Sequence, residues 1–145
     1  MSLRCKPRSP PMCALRRRSR PTELKDSAGL NAAAEFLSQH LASFGYEVTA
    51  QTYPVGQLAV RNIVAERRGA EQPDRVIGAR YDSVADSPGT DDNASGVAVL
   101  LELARLHAQT RFRKTVRFVA FTLEEPPFFR SRHMGSRIYA RFPKE

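Results

Sequence analysis

The chain has 145 residues, 41% apolar and 26% charged, the make-up of one small globular domain with enough length to bury a core. No apolar run approaches the roughly 18–20 residues that a membrane-spanning helix needs, so no membrane span is expected. A formal net charge of +8 would suit a nucleic-acid binder, but seven of the 23 Lys and Arg lie in residues 1–20, where there is no acid, and the other 16 face 15 acids, so the charge belongs to a tail and not to a folded basic face.

Residues 1–26 are rich in Pro, Arg and Ser and show no periodicity, which predicts a disordered tail ahead of a folded portion at 27–145. Cys5 and Cys13 fall in this tail with no further Cys to complete a disulfide framework or a zinc site, and they read as free thiols. No apolar segment follows the charges in the manner of a signal peptide, which leaves the cytoplasm as the default location. Arg16-Arg17-Arg18 reads as part of a solvated tail; contact with nucleic acid or an acidic membrane is the alternative.

From Ser27 the pattern changes. Leu30, Ala34, Leu37, Leu41 and Phe44 recur at helical spacing, with Ser27 as the N-cap and Gly45 as the stop. Strands are predicted over 46–55, ended by Pro54, over 59–66, and over the short run 75–79; residues 67–73 read as a loop. A loop over 81–90 leads into a second helix at 93–108, whose apolar face is Val97, Leu100, Leu101 and Ala104. A basic turn precedes a strand over 115–123, where the run Phe118-Val119-Ala120-Phe121 is expected to be covered on both faces. Pro126-Pro127 stops it, and a last helix is predicted over 134–141. Strands alternating with helices give an α/β class with a partly parallel sheet. In such sheets ligands bind beyond the C-terminal ends of the strands. Two loops leave strands at that end, and both carry clustered acids.

Asp91-Asp92 sits where the second helix should begin, and carboxylates there stabilise a helix N-terminus by about 0.3–1 kcal/mol each. That accounts for one Asp; two adjacent acids repel unless they share a cation. Glu124-Glu125 ends a buried strand, where ionised carboxylates are costly unless paired or metal-bound. A two-metal hydrolase needs such a set: a carboxylate bridging two cations about 3.5–4 Å apart, further Asp, Glu or His ligands, and a carboxylate outside the ligand set to take a proton from water.

Three stretches carry a resemblance. They are 78–83 (Gly-Ala-Arg-Tyr-Asp-Ser), 87–96 (Ser-Pro-Gly-Thr-Asp-Asp-Asn-Ala-Ser-Gly) and 118–129 around Glu124-Glu125-Pro126-Pro127. In this order and spacing they resemble the two-zinc aminopeptidases of metallopeptidase family twenty-eight, with a fainter likeness back to residue 28. The resemblance implies the first half of an α/β/α zinc-peptidase sandwich, two zinc ions and hydrolysis of N-terminal peptide bonds. It implies Asp91 as the bridging ligand, Glu125 as a ligand of one zinc and Glu124 as the general base. Asp82 would orient a neighbouring ligand, Asp92 would shape the bridging loop, and Ser95-Gly96 would make the tight entry to the helix.

The chain departs from that pattern at Arg80, where the family has a zinc-ligating His. A guanidinium is always charged and has no acceptor lone pair; in that place it is expected to pair with Asp91 or Glu125. The family's remaining Asp and His ligands come well after the Glu-Glu motif, beyond residue 145. His40 and His107 fall in helices, and His133 reads as a surface residue. Two assigned ligands fall short of the roughly four that each zinc takes, so little or no activity is expected. Two other classes of function stay open: a non-catalytic interaction module that self-associates through an exposed sheet edge, and a nucleic-acid binder working through the Arg-rich tail. Within the family, carboxypeptidase and glutaminyl-cyclase relatives share the motifs.

Overall fold

The computed structural model describes residues 27–84 and 89–142. The tail at 1–26, with Cys5, Cys13 and the Arg tract, lies outside the described residues, as does the Ser87-Pro88 portion of the second motif. Helix α1 (Ser27–Ser43) leads into a hairpin of β1 (Glu47–Val55) and β2 (Leu58–Arg67). Then come β3 (Glu71–Arg80), an irregular turn (Thr90–Ala94), α2 (Ser95–Leu106), β4 (Lys114–Phe121) and the short α3 (Gly135–Arg141). The sheet order is β1-β2-β4-β3. β1 with β2 and β2 with β4 are antiparallel, whereas β3 and β4 run parallel, joined by α2 as the crossover. The mixed sheet expected from the alternation of elements is therefore present.

Period-2 alternation sorts the strands' two faces. Ile63 and Ala65 of β2, Ala79 of β3 and Val116, Phe118 and Ala120 of β4 join one core with Ala34, Leu37 and Leu41 of α1 and Val97, Leu100, Leu101 and Ala104 of α2. Each fully buried Leu, Ile or Phe contributes about 1.5–3 kcal/mol. Phe118 stacks edge-on against Tyr46 at 5.4 Å, and the Tyr46 hydroxyl donates to Ala104 O at 2.8 Å, tying the start of the hairpin to α2. The opposite face meets α3, where Tyr139 packs edge-on against Phe121. β4 is buried at every residue from Thr115 to Ala120, including Arg117, which pairs with Glu66 and Asp74.

Three sequence expectations need correcting. β3 has ten residues, not five. Its polar start, with Pro73 inside it, reads as loop, but β3 is an edge strand, and an edge tolerates Pro. The register against β4 shifts between Glu71 and Arg75, an irregularity that accommodates this stretch. Pro54 likewise does not end β1; it pairs opposite Ala59 on the other edge of the sheet. Finally, α2 begins at Ser95, because Asp92 and Asn93 have non-helical backbone angles and hold the chain in the irregular turn before it.

Candidate active site

Parallel pairing of β3 and β4 brings Arg80 opposite Phe121, so the chain leaves both strands side by side. The Tyr81 N–H donates to Phe121 O at 2.9 Å, one step past the ladder. The turn carrying Asp91 and Asp92 closes onto the same edge. Its entry is Gly89, whose left-handed φ of 60° a side chain rarely adopts; a Cβ there would also lie 2.9 Å from that of Ser83. Ala94 N–H reaches back to Gly89 O at 2.9 Å, and Asn93 Nδ2 donates to Arg80 O at 3.1 Å, fastening the turn to the end of β3. Ser95 Oγ donates to Asp91 O at 2.6 Å, where the helix begins. Three acidic segments (Asp82, Asp91-Asp92 and Glu124-Glu125) thus meet at the C-terminal edge of the parallel pair, the place that open α/β sheets reserve for ligands.

Charge organises one side of this edge. Arg80 Nε lies 2.8 Å from Glu125 Oε1, and Arg80 Nη2 contacts Asp92 Oδ1. The Glu125 side chain is only 13% exposed and that of Arg80 34%, whereas Asp92 is 65% exposed. The contact to Glu125 is a close ion pair and not an aligned hydrogen bond, since neither Nε nor Oε1 has a bonding partner in good geometry. Of the two pairings expected from the sequence, Arg80–Glu125 is present. Asp91 is not the second partner; the turn directs Asp92 to the guanidinium and leaves Asp91 exposed, with no ion pair among the described residues.

Beneath this pair lies Asp82, 3% exposed. Its Oδ2 accepts the Glu125 N–H at 3.1 Å, while Oδ1 has no hydrogen-bond partner among the described residues. Burial pushes its carboxyl up to about 6, against the pull of the backbone N–H groups of Glu125, Asp82 and Glu124; the charge of Glu125 adds to the rise. Burial also drives the neighbouring phenol of Tyr81 up to about 12, and its hydroxyl donates to Arg61 O at 2.6 Å.

Hydrogen bonds from neutral donors organise the other side. Glu124 Oε1 accepts the Ser136 N–H at 2.6 Å and Oε2 accepts the Ser136 hydroxyl at 3.1 Å. The adjacent glutamates therefore diverge, Glu125 to Arg80 and Glu124 to the first turn of α3. Leu123, buried with a left-handed φ of 56°, bends the backbone just before them. Asn62, fully buried in β2, sets where α3 begins: its Oδ1 accepts the Thr122 N–H at 3.1 Å and its Nδ2 donates to Gly135 O at 2.9 Å and Gln51 Oε1 at 2.8 Å. Gly135 N–H returns a bond to Thr122 O at 2.9 Å. A Cβ on Gly135 would fall 2.3 Å from that same oxygen, so only glycine fits. Asn62 and Ser136 escaped the reading of the sequence, because their partners are 60 and 12 residues away; a Gly-Ser at a helix start shortly after two acids is the signal that was there to use.

The histidines are engaged elsewhere. His40 Nδ1 sits 2.9 Å from Phe36 O, His107 Nδ1 3.2 Å from Thr110 Oγ1, and His133 Nε2 accepts from Arg132 Nε at 3.0 Å. Among the described residues no three His, Cys, Asp or Glu side chains are grouped so as to hold a metal ion.

Comparison with known proteins gives a consistent answer. Residues 62–144 match the model of peptidase family M28. An uncharacterized protein of Escherichia coli K12, YfbL, is 44% identical over 128 residues, covering 83% of this chain and 40% of that protein. A probable zinc metalloprotease of Pyricularia oryzae is 31% identical over 137 residues, covering 79% of this chain and 27% of that protein. Among solved structures, the glutaminyl cyclase of Porphyromonas gingivalis superposes with a TM-score of 0.74 at 26% identity, covering 92% of this chain and 51% of that one. The chain thus spans about half the length of that structure and less than half of the two relatives.

Proposed function

The chain belongs to peptidase family M28, and we propose that it is the part of a metal-dependent aminopeptidase-type domain that carries the general-base carboxylate Glu124 and the ligand carboxylates Asp91 and Glu125, with Asp82 and Asp92 in supporting places. The observation that carries this reading is the meeting of three acidic segments at the C-terminal edge of β3 and β4. Peptides are the substrate class the family implies, and zinc is the ion named for the Pyricularia relative.

The residues present do not fit a two-zinc centre. A guanidinium lies against Glu125 and Asp92, Asp91 makes no ion pair among the described residues, and those residues hold no three-ligand group. Arginine supplies charge but no lone pair to a metal. No hydrolytic step is therefore assigned to this chain, and we expect it to cleave little or no peptide. The test is hydrolysis of a leucyl anilide by purified protein, beside its zinc content, for wild type and Arg80→His. Turnover by the wild type with two zincs per chain would refute the expectation.

A second reading, an interaction module without catalysis, is favoured by β3. Its outer edge is unpaired among the described residues and Val76 on it is 41% exposed, the arrangement that invites strand addition. Size-exclusion chromatography tests it, and a clean monomer at high concentration counts against it. No helix among the described residues is long and apolar enough to cross a membrane.

A further inference from the structure

We infer that Arg80 is the resident cation of this site: its guanidinium holds Glu125 and Asp92 together across two loops, and a divalent ion competes with it for the same carboxylates. The inference deepens the reading above and rests on it for the identity of the site. It stands on three observations. First, Arg80 meets two carboxylates that belong to different segments, one after β4 and one in the turn before α2. Second, the backbone of the same residue is the anchor of that turn, because Asn93 Nδ2 bonds Arg80 O at 3.1 Å. Third, Glu125 is almost buried, and its own N–H is bonded to a second buried carboxylate, Asp82, whose Oδ1 has no hydrogen-bond partner among the described residues. A buried carboxylate is costly unless a cation compensates it, and two of them packed through one backbone N–H need a positive charge nearby. Arg80 supplies it without any ion from solution.

The consequence is mutual exclusion. With Arg80 in place, a dication near Glu125 would meet a fixed positive charge within a few ångströms, and the repulsion is strong at a site of reduced solvent access. Without Arg80, the carboxylates of Glu125, Asp92 and Asp82 repel one another, and an oxygen-preferring ion such as Mn²⁺ relieves that repulsion.

The experiment is thermal melting of the untagged chain at pH 7 as wild type, Arg80→Ala, Glu125→Gln and the double variant, each in EDTA and in millimolar MnCl₂ or ZnCl₂. The expected wild-type midpoint is the same in all three conditions. Arg80→Ala should fall by about 5–10 °C in EDTA, the scale set by a domain of this size. It should recover part of that loss in Mn²⁺, and part through the added Glu125→Gln, which also removes the response to Mn²⁺. A wild-type midpoint that drops in EDTA and rises with metal, with Glu125→Gln abolishing the response, would overturn the inference. So would additive effects of the two substitutions. If Arg80→Ala does not fold, Arg80→Lys and the wild-type comparison still decide. Peptidase activity is not read in this experiment, so its failure is separable from failure of the functional reading.

Discussion

The two strand ends that face each other across the site are held by different forces. After β4, Glu124 is fixed by hydrogen bonds from neutral donors: Ser136 holds its carboxylate, and Asn62 holds the start of α3 to Thr122. On the β3 side, Arg80, Asp82 and Asp92, with Glu125 reaching across from the end of β4, are fixed by charge and burial. The first arrangement contains no ion pair among the described residues and should be nearly indifferent to salt. The second should respond to both salt and pH, because ion pairs near the surface are screened and a buried carboxylate titrates.

The largest expected effect breaks the neutral side. Asn62→Leu keeps the branched outline of the side chain but leaves the Thr122 N–H and Gly135 O without their partner, at about 1–3 kcal/mol for each buried group. Urea unfolding should show a loss of roughly 2–5 kcal/mol that does not change between low and high salt. A loss under half a kcal/mol would mean that α3 is not anchored there.

Next comes the pH dependence of the charged side. The Asp82 carboxyl, raised to about 6 in the folded chain, sits near its ordinary value when unfolded. The folded state therefore binds the proton more tightly, and this group's contribution to stability is present below about pH 4 and lost as pH rises through 6. The size is about 3 kcal/mol between those limits. Asp82→Asn should remove that slope from a series of unfolding curves between pH 4 and 7; an unchanged slope would assign it to another group.

A smaller effect is expected from Ser136→Ala, which removes the hydroxyl bond to Glu124 and keeps the backbone one. Unfolding should register about 0.5–1.5 kcal/mol, and high salt should not alter it. The smallest belongs to Asp92→Asn. An exposed partner of a half-exposed Arg is worth about 0–1 kcal/mol, and what it contributes should vanish in 1 M NaCl.

The contrast also explains what could be read from the sequence. The charged side was legible because its residues sit in short motifs at the ends of strands, and acids crowded together need a cation. Which aspartate would face Arg80 was not legible: the choice between Asp91 and Asp92 depends on the non-helical backbone at Asp92 and Asn93, which no side-chain pattern announces. The neutral side was silent, since a buried Asn among apolar residues looks like any strand residue until its distant partners are known. The helices and the inner strands followed their periodicity. So did β1, although Pro54 lies inside it and does not end it; β3 did not, because Pro73 signals loop locally while an open edge accepts it.

Titration of Zn²⁺ into untagged wild-type protein at pH 7, followed by calorimetry, tests the central claim most directly. If Arg80 is the cation of this site, no saturable heat will appear that Glu125→Gln removes. Stoichiometric binding by the wild type, lost in Glu125→Gln, would contradict the account and place a metal where Arg80 now lies.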